Sequence, residues 1–286
     1  MMRSIHSILF HPFGLKEKNF KDSLRNSEKM KIGIVGYRGE YGFEKLFEAS
    51  RDFGEPVHFN PDFMNFDSLR GLPVPEVDLL IVRDLGGETL EERAFRMDLL
   101  HLLSSSLPVF NSPEAINTAG NKFLTYFKLL KKGIPIPRTI LGRDLRFSFD
   151  TVTKPIFGYQ GKGIKFHETG EILRGFHLAQ EFLRGDEFRV FVIGDSSFGA
   201  IKKFPREGEW RANLSLGAKM ISVRVEEEIE EIAIKASKTL GCLFSAVDLM
   251  VTSSGVKVLE VNATPNFRSF PGAEKNIVKA CIDQVI

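Results

Sequence analysis

Residues 246–262 read Ala-Val-Asp-Leu-Met-Val-Thr-Ser-Ser-Gly-Val-Lys-Val-Leu-Glu-Val-Asn. Apolar, β-branched runs on either side of a Ser-Ser-Gly break predict a hairpin, Ala246–Thr252 against Val256–Asn262. A three-residue loop with Gly255 at its left-handed position pairs Thr252 with Val256. Counting outward, Asp248 falls opposite Glu260, and Asn262 lies further along on the same face. Opposed carboxylates destabilise a sheet, and with no cation one of them tends to hold its proton. A hard divalent cation removes that conflict. Two carboxylates, an amide oxygen and open positions suit magnesium shared with a nucleotide phosphate, with manganese as a substitute. Leu249, Val251, Val258 and Val261 imply a buried sheet rather than a solvated acidic face. The expectation hangs on loop length, because a two- or four-residue turn would put the acids on opposite faces.

Upstream, the strand-like Thr151-Val-Thr-Lys-Pro155 runs into Ile156-Phe-Gly-Tyr-Gln-Gly-Lys-Gly-Ile-Lys-Phe166. Gly158, Gly161 and Gly163 allow backbone amides to approach phosphates closely. The spacing is not that of a Walker A loop, and a strand follows it rather than a helix. The segment reads as a flap over phosphates with Lys154 at its edge, or equally as an ordinary hairpin turn. Beyond it come Gln180-Glu181-Phe182-Leu183 and the scattered polar points Glu187, Arg189, Lys203, Arg211 and Asn213. Singly, each of these reads as a surface residue.

The whole chain sets the frame. Its 286 residues suggest about two domains. Hydrophobic residues at 43% and charged residues at 27% exclude a disordered chain or a collagen-like repeat. Lys and Arg number 39 against 37 Asp and Glu, a net +2 that calls for neither a nucleic-acid nor a membrane partner. Cys242 and Cys281 lack a CxxC spacing, so neither a zinc site nor a disulfide framework is expected, and a reducing cytoplasm fits. No apolar run approaches the length of a membrane span. Residues 1–29 read as an arm or extension, with Met30 a candidate natural start.

From 30 to 111, strands at Lys31–Val35, Pro56–Phe59, Leu79–Arg83 and Val109–Asn111 alternate with helices at Phe43–Phe53 and Glu91–Leu103. That pattern predicts a small parallel α/β layer. Ser112-Pro113-Glu114 opens a second region, with helices expected at Lys122–Lys131 and Glu226–Leu240 and strands dominating from Thr151.

The order of these pieces resembles the ATP-grasp superfamily, specifically the RimK-type carboxylate–amine ligases related to bacterial glutathione synthetase. The stretches that carry it are Asn111–Ile116 with Asn121-Lys122, Gly133–Thr139, Lys154-Pro155 with the glycine loop, and Gln180–Leu183. Glu187–Asp195, Arg211-Ala212-Asn213 with Gly217, Val247–Leu249 and Leu259–Pro265 complete the set. The resemblance implies an α/β (α+β) ATP-grasp fold: a pre-ATP-grasp domain at 30–111 and subdomains at 112–178 and 179–286 that clasp ATP.

It further implies that Lys122 and Lys154 contact ATP phosphates, beside the flap of Gly158, Gly161 and Gly163. Glu181, Phe182 and Leu183 would form the hinge that reads adenine. Glu187 would hold the ribose, where many relatives carry aspartate. Asp248, Glu260 and Asn262 would bind magnesium, in agreement with the hairpin count. Arg211 and Asn213 would steady the transferred phosphoryl group and the acyl-phosphate, with Arg189 and Lys203 counted beside them as catalytic. Lys203 stands where relatives often carry arginine, keeping the charge without the fork.

The implied reaction phosphorylates a carboxylate with ATP and lets an amine displace the phosphate. The partners implied are a glutamate-like amino acid and a carboxylate acceptor, either a small molecule or a protein tail. A homo-oligomer is compatible with the sequence. Arg83 and Arg268 are candidates for a substrate carboxylate, or surface arginines. The alternatives are an ATP-binding module without turnover and a purine-pathway or D-alanine-type ligase. The Arg-x-Asn spacing disfavours the last two.

Overall fold

The computed structural model describes residues 29–68, 74–158, 163–212 and 216–286. The question of the N-terminal arm therefore lies outside the described residues, apart from its last position. The first layer is a four-stranded parallel sheet in the order β2-β1-β3-β4. Its strands are β1 (Lys31–Val35), β2 (Glu55–Phe59), β3 (Leu79–Val82) and β4 (Val109–Phe110). β3 is apolar and buried at every position, as a parallel strand covered on both faces requires. Helix α1 (Tyr41–Ser50) opens on a Glu40 side-chain cap. Helix α2 (Leu90–Ser104) opens on a Thr89–Glu92 capping box, which satisfies two orphan donors reciprocally.

Two short helices then follow in series. In α3 (Pro113–Gly120) the Ser112 side chain caps the first turn, and in α4 (Lys122–Lys131) Asn121 does the same. Gly133, at φ 67°, ends the pair in the left-handed region that glycine tolerates best.

The remainder forms two antiparallel sheets. The glycine-loop sheet has the order β5-β8-β6-β7, from β5 (Thr139–Arg146), β6 (Thr151–Lys154), β7 (Lys165–His167) and β8 (Ile172–Glu181). The five-stranded sheet has the order β11-β10-β9-β12-β13. It comprises β9 (Asp186–Ile193), β10 (Ser196–Phe204), β11 (Lys219–Val223), β12 (Phe244–Thr252) and β13 (Gly255–Asn262). Helix α5 (Glu227–Thr239) lays Ile229, Ala233 and Ala236 into its core.

The five-stranded sheet is bound to the parallel layer by a shared core. Phe191, Phe244, Phe267 and Phe270 join Ile32, Phe43 and Leu46 in one buried cluster. Helix α6 (Ala273–Asp283) completes it with Ile277, Val278 and Cys281. Fully burying each such large side chain favours the fold by about 1.5–3 kcal/mol. The buried Asn111 adds a polar clamp. Its amide nitrogen donates to the Phe244 and Ala263 carbonyls, and its oxygen accepts from the Leu243 and Phe244 amides. Both ends of the β12–β13 hairpin are thereby tied to the end of β4.

The hairpin loop differs from the sequence expectation. Its turn holds two residues, Ser253 and Ser254, and Thr252 pairs with Gly255 rather than with Val256. Extended unbroken, that register would set Asp248 against Leu259 and turn Glu260 to the other face. The ladder does not continue unbroken. Leu249 pairs with Val258, the register shifts, and Asp248 then pairs with Glu260. Leu259 is the extra residue of a β-bulge. The two acids are opposed as expected, through a different device.

Candidate active site

Three strands set the charges in rows. Asp248 on β12 has Glu260 on one side and Arg189 of β9 on the other. Glu187, two positions from Arg189 on the same face of β9, pairs across to Lys203 of β10. Arg189 forks onto Asp248, with Nε donating to Oδ1 at 2.7 Å and Nη2 to Oδ2 at 2.8 Å. Lys203 Nζ lies 3.0 Å from Asp248 Oδ2 and donates to Glu187 Oε1 at 2.6 Å. Both Asp248 and Lys203 are buried, at 5% and 4% exposure, where an unpaired charge would be strongly disfavoured.

These contacts separate the two acids. Burial raises the Asp248 carboxyl, but the charges and hydrogen bonds of Arg189 and Lys203 outweigh it and hold the group well below the ordinary range. At Glu187 burial prevails over the Lys203 charge, and the carboxyl sits above its usual value.

Helix α4 ties this sheet to the glycine loop. Lys122 Nζ donates to Glu260 Oε1 at 3.2 Å and to the Gly158 carbonyl at 2.8 Å, and its backbone amide donates to Ile156. On the glycine-loop sheet, Lys154 Nζ donates to Gln180 Oε1 at 2.6 Å. Burial holds this ammonium below its ordinary value, against the pull of Glu260, Glu187 and Asp248. A cavity of about 490 Å³ opens beside Lys154, lined also by Phe157, Gly163, Phe176 and Leu178. That volume lies within the range of small-molecule sites.

The remaining expected residues divide. Gly158 and Gly163 stand on either side of residues 159–162, which, Gly161 among them, lie between β6 and β7 and outside the described residues. Glu181 ends β8, and its amide donates to Arg138 while that of Phe182 donates to Asp150. The Phe182 ring meets Phe166 and Trp210 edge-on, at 5.0 and 5.3 Å between centroids. Leu183 follows in the connection between β8 and β9. Asn262, opposite Ala246, makes only a 3.5 Å contact from its amide nitrogen to the Ala246 carbonyl.

Arg211 is not gathered into the acid cluster; its guanidinium is held by Glu209 at 2.9 and 2.7 Å. Asn213 lies outside the described residues. Arg83 bridges Glu40 and the Thr264 carbonyl, and Arg268 lies over the Tyr41 ring. Arg83 is thus a tie between the parallel layer and the segment after β13, a role the sequence reading did not assign.

The donor set fits a hard divalent ion. Among the described residues, no three His, Cys, Asp or Glu side chains gather closely enough to hold a metal. Asp248, Glu260 and Asn262 are two carboxylates and one amide, donor types that a hard divalent ion accepts, although Arg189, Lys203 and Lys122 hold the carboxylates here and would have to yield to it. Both cysteines are buried. Burial pushes Cys242 up to about 12 and Cys281 well above its usual value, so neither thiol is a ready nucleophile.

A family model described as the RimK-like ATP-grasp domain matches residues 119–285. The chain belongs to the RimK-like ATP-grasp family. It is 33% identical over 239 residues to the tetrahydromethanopterin:alpha-L-glutamate ligase of Methanosarcina acetivorans, covering 67% of this chain and 74% of that protein. Identity to the Methanocaldococcus jannaschii protein of the same name is 32% over 238 residues, covering 74% and 80%. The ATP-grasp ligase PsnB, complexed with a precursor variant, Mg and ADP, aligns at TM-score 0.69 and 21% identity, over 89% of this chain and 98% of that one. That likeness bears on the fold, which is the ATP-grasp fold the resemblance implied. The RimK-like chain is an ATP-dependent ligase that forms a carbon–nitrogen bond. No helix among the described residues is long and apolar enough to cross a membrane.

Proposed function

We propose that this RimK-like ligase joins the amine of a glutamate-type amino acid to a carboxylate on a cofactor-like acceptor. One observation carries the reading of the site: Asp248 and Glu260 oppose each other on one face, and Lys122 links Glu260 to the edge of the glycine loop. The names of the two archaeal relatives support glutamate as the amine donor and a cofactor as the acceptor class. In this reading the seam between the clasping subdomains falls after Glu181, because β8 stays in the glycine-loop sheet to that residue.

The chemistry follows from charge. A carboxylate is a poor electrophile, because its negative charge repels an amine. Its oxygen attacks the γ-phosphorus of ATP, the bond to the β-phosphate oxygen breaks, and ADP leaves. The amine nitrogen then attacks the acyl carbon, inorganic phosphate departs with the bonding pair, and the amine loses a proton. Magnesium held by Asp248, Glu260 and Asn262 would offset charge on the phosphate oxygens.

This chain's side chains supply the rest. Lys122, from the start of α4, and Lys154, from the end of β6, face the phosphates. Arg189 and Lys203 keep Asp248 ionised, and Lys203 also orients Glu187 toward the ribose. The engaged amides of Glu181 and Phe182 leave the purine edge to their carbonyls and to Leu183. Release of Arg211 from Glu209, beside Asn213, would bring a fork to the transferred phosphoryl group. The glycine loop covers the acyl-phosphate against water.

The test is phosphate release from ATP, screened over amino acids crossed with carboxylate acceptors. Release that requires glutamate together with a carboxylate-bearing, pterin-type acceptor is expected. Release that proceeds equally with every amino acid, or with none, would refute the substrate class.

A further inference from the structure

The carboxylate pair depends on the bulge at Leu259, and a bulge needs its own support. The two-residue turn alone would turn Glu260 away from Asp248, and the extra residue returns it. Leu259 has no register partner on β12. β13 is an outer strand of its sheet, so whatever holds the bulge must come from outside the ladder.

Two contacts do so. The Val258 amide donates to the Pro135 carbonyl at 2.8 Å, and the Tyr126 hydroxyl donates to the Leu259 carbonyl at 2.9 Å. Tyr126 is 3% exposed and lies one turn beyond Lys122 on α4, so the two side chains share a face of the helix. The helix therefore grips consecutive residues of the bulge, Leu259 by its carbonyl and Glu260 by its carboxylate.

We infer that Tyr126 is a positioning residue for the metal site: its hydroxyl fixes the Leu259 bulge, and thereby sets Glu260 opposite Asp248. It touches neither nucleotide nor metal in this account; besides the Leu259 carbonyl, its hydroxyl hydrogen-bonds Gln180, which accepts from Lys154. The inference rests on the reading of Asp248, Glu260 and Asn262 as the metal ligands.

The test compares ADP binding with and without Mn2+, by calorimetry, in the full chain, Tyr126→Phe and Glu260→Gln. The readout is the gain in ADP affinity that Mn2+ confers, which a purely structural role would not change selectively. Tyr126→Phe keeps the ring and its packing and removes one hydroxyl. The expected result is a loss of about tenfold in the Mn2+-dependent gain, the lower end for a group that orients a metal ligand, with metal-free ADP binding unchanged.

An undiminished gain in Tyr126→Phe, alongside a gain lost in Glu260→Gln, would overturn the role of Tyr126 and leave the metal reading standing. Equal weakening of ADP binding with and without Mn2+ would also overturn it, as a general loss of structure. No gain in the parent chain, or a full gain in Glu260→Gln, would remove the metal reading and this inference together.

Discussion

The two antiparallel sheets, one carrying Asp248 and Glu260 and the other Lys154, are built to opposite specifications. In the five-stranded sheet, Asp248, Glu187 and Glu260 each lie within ion-pair distance of a cation, and the phenylalanine core beneath them is shared with the parallel layer. In the glycine-loop sheet the buried cluster is small, Phe147, Leu173 and Ala179, while Phe157 and Phe176 stand 58% and 53% exposed. The first surface has its charges fixed before any ligand arrives, which is what electrostatic stabilisation of a transferring phosphoryl group needs. The second has little apolar burial to hold it, and such regions open at lower free energy than the rest of a protein. In the proposed reading, one sheet would serve as a preorganised base and the other as a cover.

Removing the anion at the centre of the fixed sheet breaks the comparison most severely. Asp248→Ala leaves Arg189 and Lys203 buried without their shared partner, and the expected loss is about 3–5 kcal/mol in urea unfolding. A change below 1 kcal/mol would mean that the cluster is already solvated. Asn111→Ala removes the clamp on both ends of the hairpin. Orphaning buried backbone groups lowers stability by about 1–3 kcal/mol, measured in the same way.

The smallest effect is expected on the cover, at Lys154. Its folded value is lowered by burial, so between that value and the ordinary lysine range the unfolded chain binds a proton that the folded chain does not. Stability without nucleotide therefore rises with pH across that window. ATP affinity does the reverse, because phosphate binding needs the ammonium. The expected loss is about tenfold per pH unit above the lowered value, equivalent to about 1.4 kcal/mol. Lys154→Met should flatten both profiles, and a parent-like pH profile of ATP affinity in that variant would remove Lys154 from the phosphate site.

Where local signals were strong, the sequence reading and the structure agree. The alternation from Lys31 to Asn111 gave the parallel layer, and the Ser112 cap and the helical run Lys122–Lys131 placed α3 and α4. The hairpin is more instructive. Its loop was read one residue too long, and the Leu259 bulge, which leaves no mark in composition or alternation, restored the pairing of Asp248 with Glu260. Strand β5 escaped notice because its burial pattern shows no clean alternation and Asp144 interrupts it at φ 51°. Helix α6 opens on Gly272 with no side-chain cap, so the usual start signal is missing although its inner face is fully buried. The links made by Asn111, Arg83 and Tyr126 all join residues more than 130 positions apart or in different layers. Single-chain patterning carries no trace of such contacts.

The central claim is that Asp248 and Glu260 form one divalent-ion site beneath the nucleotide. Glu260→Gln tests it most directly, because it keeps the shape of the side chain and removes one charge. With ATP, magnesium and saturating glutamate and acceptor, phosphate release should fall by at least about a hundredfold, in line with the loss of an electrostatic group at a phosphoryl-transfer site, while the unfolding midpoint stays close to that of the parent chain. Parent-like turnover in this variant would contradict the account.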